Sequence, residues 1–191
     1  MTLIDSKKAL RATMLARRQT LDEAERSAAA DGLRDLFLLE RPIELPAVVS
    51  GFWPIKDEID IRPLMAALFD EGCQIVLPVV QGRGKRLLFR AWRPDEPLEA
   101  GVLGTLQPSA DAEVIEPDVL LVPMLACDGE GWRLGYGGGF YDRTLEDLRK
   151  KRPVTAIGVG FDLQFLPAVP HGADDQRLDW LLTDRRACAF V

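Results

Sequence analysis

VLLVPML, residues 119–125, is the stretch that decides the fold. A strand with one face in water alternates apolar and polar residues. This run is apolar throughout, the mark of a strand covered on both faces. Working outward, AVVSGFW (47–53), QIVLPVV (74–80), RLLFRAW (86–92) and VTAIGVGF (154–161) also read as strands. Helical patterns fall between them. IRPLMAALFDEG follows Asp60, a plausible cap, and a second helix runs from about Phe140 to Lys150. A short helix is expected around Leu178 to Leu182, and RACAFV (186–191) then closes the sheet. Strands alternating with helices imply a three-layer α/β/α architecture around a mainly parallel open sheet. In such sheets ligands lie beyond the carboxyl ends of the strands.

The first forty residues read as two helices. Asp5 or Ser6 would cap the first, whose apolar positions include Leu10, Met14 and Leu15. Thr20 and Glu23 match a capping box for the second, which runs to about Leu39 and buries Leu33, Leu36 and Phe37.

With 191 residues, 47% hydrophobic and 28% charged, the chain is expected to form a single domain, 1–191. Its net charge of -6 disfavours nucleic acid and anionic membranes as partners. Cys73, Cys127 and Cys188 are far apart and odd in number, so they read as reduced thiols of a cytoplasmic protein. No signal peptide is expected at the start, and no run is long enough to span a membrane. The one histidine, His171, excludes multi-histidine metal centres and weakens any Ser-His-Asp or Cys-His proposal. Read alone, His171 is a solvated loop residue. The chemistry is therefore expected from carboxylates, Lys/Arg and a metal with oxygen ligands.

RLGYGGGFYDR (133–143) carries four glycines just before a helix. It lacks the Gly-Lys-Ser/Thr ending of a P-loop and the last glycine of G-x-G-x-x-G, whose place Phe140 takes. The physics of those motifs still applies. Bare backbone lets N–H groups converge on an anion, and the helix behind presents its positive end. An ordinary glycine turn and a phosphate site both remain open at this point. Asp142, in the first helical turn, either complements the helix dipole or ligates Mg²⁺ beside phosphates. Lys7 and Arg11 share a helix face, which reads either as an anion site or as a solvated basic face with Lys8, Arg17 and Arg18. Lys56-Asp57-Glu58 is either plain surface or, following a strand end with Trp53 and Pro54, part of a site. One of Asp174, Asp175 and Asp179 is expected to cap the short C-terminal helix.

Taken together, five blocks in order resemble the 5-formyltetrahydrofolate cyclo-ligase family. They are KKALR (7–11), FWPIKDEIDIRPLM (52–65), LLVPMLACDGEGWRLGYGGGFYDRTL (120–145), GVGFDLQFLPAVP (158–170) and DQRLDWLLTD (175–184). The resemblance implies an ATP- and Mg²⁺-dependent conversion of 5-formyltetrahydrofolate to 5,10-methenyltetrahydrofolate, with release of ADP and phosphate. The formyl oxygen would be phosphorylated and ring closure would expel phosphate. It further implies that Lys7, Arg11, Arg133, Leu134, Gly135, Tyr136, Gly137, Gly138, Gly139, Phe140 and Tyr141 bind ATP. Trp53, Glu58, Tyr136 and Phe140 would border the folate, and Asp142 and Asp175 would hold Mg²⁺. Arg133, Tyr136 and Asp142 would carry the catalysis, in a protein expected to act as a monomer on small molecules.

The chain departs from the family pattern in places. Phe140 stands where tyrosine is common, Tyr136 and Gly138 where some members are basic, and Cys127 where phenylalanine is usual. The segment His171 to Asp174 is altered as well. Two other readings are a non-catalytic member that binds nucleotide or folate, and a phosphosugar isomerase-type enzyme on a related sheet. The second would need an acid/base set for enolisation and no ATP.

Overall fold

The computed structural model describes residues 2–190, with the Leu103 side chain left out. Met1 lies outside it, as does Val191, the last residue of the expected closing strand. Helices α1 (Leu3–Gln19) and α2 (Glu23–Glu40) lead into strand β1 (Val48–Ser50), helix α3 (Arg62–Asp70) and strands β2 (Gln74–Val80) and β3 (Leu87–Ala91). Two ribbon strands follow, β4 (Glu99–Ala100) and β5 (Leu106–Gln107), then β6 (Val119–Pro123), β7 (Ala126–Asp128) and β8 (Arg133–Leu134). Helix α4 (Phe140–Lys151) precedes β9 (Thr155–Val159), β10 (Phe165–Leu166), β11 (Trp180–Leu182) and β12 (Ala187–Ala189).

Seven strands form the main sheet in the order β12-β11-β9-β6-β1-β2-β3. The five inner strands run parallel, and β12 and β3 pair antiparallel at the two edges. β6 is central and flanked on both sides, as its unbroken apolar run demands. Its side chains alternate between two cores. Val119 and Leu121 join Leu33 and Phe37 of α2 and Leu64 and Leu68 of α3. Leu120 and Val122 join Leu145 and Leu148 of α4 on the opposite face. Helix α1 sits apart from both. Its Met14 is buried with Leu125, Ala126 and Leu134, over the small sheet β10-β7-β8.

Four local expectations are corrected. Helix α1 is capped by Thr2, in a reciprocal box with Asp5, so neither Asp5 nor Ser6 is the cap. Helix α2 is capped by Asp22 with Glu25. Thr20 instead ends α1, where its N–H and hydroxyl both donate to Arg17 O. Helix α3 has Ile61 at its cap position, and Asp60 accepts from Arg62 N one residue later. The segment near Leu178 is no helix, because Trp180–Leu182 pairs in parallel with β9. Three residues beside a sheet gain ladder hydrogen bonds that a one-turn helix would lack. Asp179 therefore caps nothing and accepts from Ala156 N and Arg149.

Candidate active site

The chain starts its sheet at β1, builds β2 and β3 on one side, then crosses to build β6, β9 and β11 on the other. The order therefore reverses between β1 and β6. Adjacent crossover connections leave the sheet in opposite directions at such a point and open a crevice at the carboxyl ends. A cavity of about 510 Å³ lies there. Phe52 and Trp53 beyond β1, Pro78 and Val80 at the end of β2, and Pro123 at the end of β6 line it.

Every residue that the resemblance assigns to the site lines this one cavity: Lys7, Arg11, Trp53, Glu58, the run Arg133 to Asp142, and Asp175. Segments more than a hundred residues apart thus share a wall. The sequence alone did not mark Ile55, Leu87, Thr105 or Leu106, which also line it. They carry no charge, and only Ile55 falls within a block that carries the resemblance, so it took the fold to place them on the cavity wall.

The polar end is built by the glycine loop and α1. Gly137 and Gly139 have φ of 99° and 63°, the left-handed region that favours glycine. Gly139 is the N-cap of α4, and no side chain caps that helix. The first-turn N–H groups of α4 thus keep their capacity for an anion. A Cβ at Gly138 would come within 2.6 Å of the Phe140 ring, so this position is bare for steric reasons. Helix α1 meets the loop through Arg11, whose Nε donates to Gly135 O at 2.8 Å.

Two cations and two carboxylates at this end are already paired. Arg133, almost fully buried, donates to Asp142 Oδ1 at 2.8 Å, and the same oxygen accepts from Gln176 N. Lys7 Nζ lies 2.5 Å from Asp175 Oδ2, which also accepts from Gly172 N. Asp142 therefore bonds the residue after Asp175, and the two carboxylates are tied into one neighbourhood. Each uses a single oxygen in these bonds.

The other end is apolar, with one acid. Trp53 packs edge-on against Trp92, 5.8 Å between centroids. Glu58 accepts from Ile55 N at 2.9 Å. Burial pushes its carboxyl above the usual range, against the pull of the Ile55 N–H and of Arg18. Tyr136 bridges the two ends. Its hydroxyl is pushed up to about 12, by burial first and by the Glu58 charge second. Tyr141 is shifted upward as well, again chiefly by burial.

One expectation about charge fails here. Arg18, grouped with the solvated basic face, is only 1% exposed, whereas Lys8 and Arg17 do face solvent. Lys7, Arg11, Met14 and Arg18 recur at spacings of four, three and four, which is one helical stripe. That stripe turns toward the glycine loop and takes Arg18 inside. His171 is exposed as expected, stacked on Trp132 at 3.9 Å. Cys127 is buried in the α4-side core, and burial pushes its thiol up to about 12, so it packs and does not react.

Known proteins of one family resemble this chain in sequence and in fold. The sequence profile of the 5-formyltetrahydrofolate cyclo-ligase family matches residues 3–184. The 5-formyltetrahydrofolate cyclo-ligase of Mycolicibacterium smegmatis is 35% identical over 190 residues, covering 95% of each chain. That of Escherichia coli K12 is 35% identical over 136 residues, 68% of this chain and 73% of its own. Among solved structures, the 5,10-methenyltetrahydrofolate synthetase of Aquifex aeolicus superposes with a TM-score of 0.77 at 29% identity, covering 96% of this chain and 92% of that one.

Proposed function

This chain belongs to the 5-formyltetrahydrofolate cyclo-ligase family, and from that premise we propose how its cavity carries out an ATP- and Mg²⁺-dependent ring closure. As an enzyme of this family it is a ligase acting on a reduced folate. The finer reading is that ATP phosphorylates the formyl oxygen of 5-formyltetrahydrofolate. The neighbouring amine nitrogen then attacks the formyl carbon, and phosphate leaves to give 5,10-methenyltetrahydrofolate and ADP.

One observation carries this reading: the cavity has a cationic glycine-loop end and an apolar end with a single carboxylate, joined in one space. Phosphoryl transfer asks a protein mainly for positioning and charge stabilisation. Lys7 and Arg11 supply cations to the nucleotide phosphates, and the backbone of Gly135 to Gly139 supplies room and N–H groups. Leu134, Phe140 and Tyr141 frame that loop. Arg133 stands where charge develops on the transferred phosphoryl group. At the other end, Trp53 and Phe140 provide flat apolar walls, and Glu58 accepts hydrogen bonds from the N–H donors of the pterin. Tyr136 lies between and orients the reacting groups.

The donor set fits Mg²⁺, which takes one or two carboxylates beside phosphate oxygens. Asp142 and Asp175 would hold it, since each has one oxygen that its present bonds leave over. When bound, the metal supplies neutralisation of phosphate charge. With metal and nucleotide both bound, Lys7 and Arg133 would serve phosphate oxygens while Asp142 and Asp175 would serve the metal.

The same reading makes the chain a single-domain, monomeric, cytoplasmic enzyme of small molecules. No helix among the described residues is long and apolar enough to cross a membrane. The decisive assay mixes protein, ATP, Mg²⁺ and 5-formyltetrahydrofolate and follows the methenyl absorbance. A rise that requires both ATP and Mg²⁺ is expected. No such rise at substantial protein concentration would overturn the proposal.

A further inference from the structure

Arg18 is a buried cation that its surroundings do not satisfy. It lies in the last turn of α1, where the helix dipole favours positive charge. Burying a guanidinium is costly unless its donors are met. Here Nη2 donates to the Tyr136 hydroxyl at 2.8 Å, and the Asp57 carboxylate stands 3.9 Å away. Nε has no partner among the described residues. An arginine kept only for structure would be expected to spread its five donors over close acceptors. This one spends its best bond on a tyrosine at the edge of the cavity.

The direction of that bond matters. An arginine can only donate, so the Tyr136 oxygen must accept, and its own proton is directed elsewhere. Glu58 lines the same cavity, and its charge is among the causes that raise the Tyr136 hydroxyl. Arg18 therefore holds the Tyr136 hydroxyl by its oxygen and leaves its proton to face the Glu58 carboxylate. Arg26 ties the base of this arrangement, donating to Arg18 O at 2.8 Å and to Asp57 O at 3.2 Å, and so links α1 to the turn that carries Glu58. A carboxylate keeps capacity for about four hydrogen bonds, so Glu58, which accepts from Ile55 N, retains acceptor sites for Tyr136 and for a ligand.

We propose that Arg18 is a positioning residue for the folate end of the cavity, acting through Tyr136 to hold Glu58 as an oriented, ionised acceptor. This rests on the functional reading above, in which Glu58 meets the pterin. Arg18 itself does not line the cavity.

The test is a double-mutant cycle of Arg18→Met and Tyr136→Phe. Dissociation constants are measured for 5-formyltetrahydrofolate without nucleotide, and separately for ATP with Mg²⁺. Arg18→Met is expected to weaken folate binding by about tenfold or more while ATP affinity stays within about twofold. Tyr136→Phe should reproduce most of the folate loss, and the double variant should lose little beyond either single one. Arg18→Lys should restore binding only in part, since it keeps the charge without the fork. Equal losses for ATP and folate would reduce Arg18 to a structural role. Full additivity would deny that it acts through Tyr136. If Arg18→Met does not fold, Tyr136→Phe alone decides, and unchanged folate affinity there overturns the proposal. A wild-type protein that binds no 5-formyltetrahydrofolate sinks the functional reading itself, an outcome distinct from all of these.

Discussion

Asp142 and Glu58 are both acids on the cavity wall, yet their settings differ. Asp142 sits between two donors, Arg133 and Gln176 N, on one oxygen. Asparagine can keep that oxygen as an acceptor while removing the charge. Asp142→Asn is therefore expected to leave the thermal midpoint within a few degrees. Its Mg²⁺-dependent turnover should fall at least as far as the ~10–100-fold typical of losing an outer-shell partner. Unchanged activity would remove Asp142 from the metal site. Glu58 is governed by burial, which raises its carboxyl. A raised acid binds its proton more tightly in the folded chain. Its contribution to stability is thus complete below the unfolded carboxylate range and is lost as pH rises through the folded value. Glu58→Gln should accordingly melt above wild type at neutral pH, and the gap should close on acidification to about pH 4. The same variant should bind 5-formyltetrahydrofolate more weakly. A variant less stable than wild type at neutral pH would contradict the burial argument.

Among the elements, the helix starts were harder to read than the helices. TLDEAE offers two overlapping capping boxes, Thr20 with Glu23 and Asp22 with Glu25, and spacing cannot choose between them. The structure chooses Asp22 because Thr20 is still the αR end of α1, bonded back to Arg17 and Arg18. Asp22→Ala is expected to cost about 1 kcal/mol by chemical denaturation, and Thr20→Ala clearly less. Equal costs would mean that both caps operate in solution. The segment around Leu178 failed for another reason. Three residues are too few to show a period, so whether they join a helix or a sheet depends on the neighbour they meet. That neighbour is β9, whose parallel edge takes Trp180 to Leu182.

For the whole molecule, the double-sided burial of β6 makes a quantitative claim. Leu121 is fully buried against α2 and α3. Leu121→Ala should lower unfolding free energy by ~2–5 kcal/mol with an unchanged denaturant slope. Leu39, 76% exposed at the end of α2, should tolerate alanine within about 0.5 kcal/mol. A small loss at Leu121 would question the three-layer arrangement. Much of that arrangement was legible beforehand. An unbroken apolar run states burial on both faces directly, and glycines before an amphipathic helix state where backbone must be bare. Such signals lie within one short segment, where local sterics and hydrophobicity act without knowledge of the rest. Which distant segments meet is a different kind of information. Lys7 with Asp175, Arg133 with Asp142 and Arg18 with Tyr136 are pairings made by the crossing of the chain between β1 and β6 and by the packing of α1 over the small sheet. The charges of Arg17 and Arg18 are identical in the sequence. Only the tertiary structure sends one to solvent and the other into the core, because a helix turns by about 100° per residue and just one of its faces meets the glycine loop.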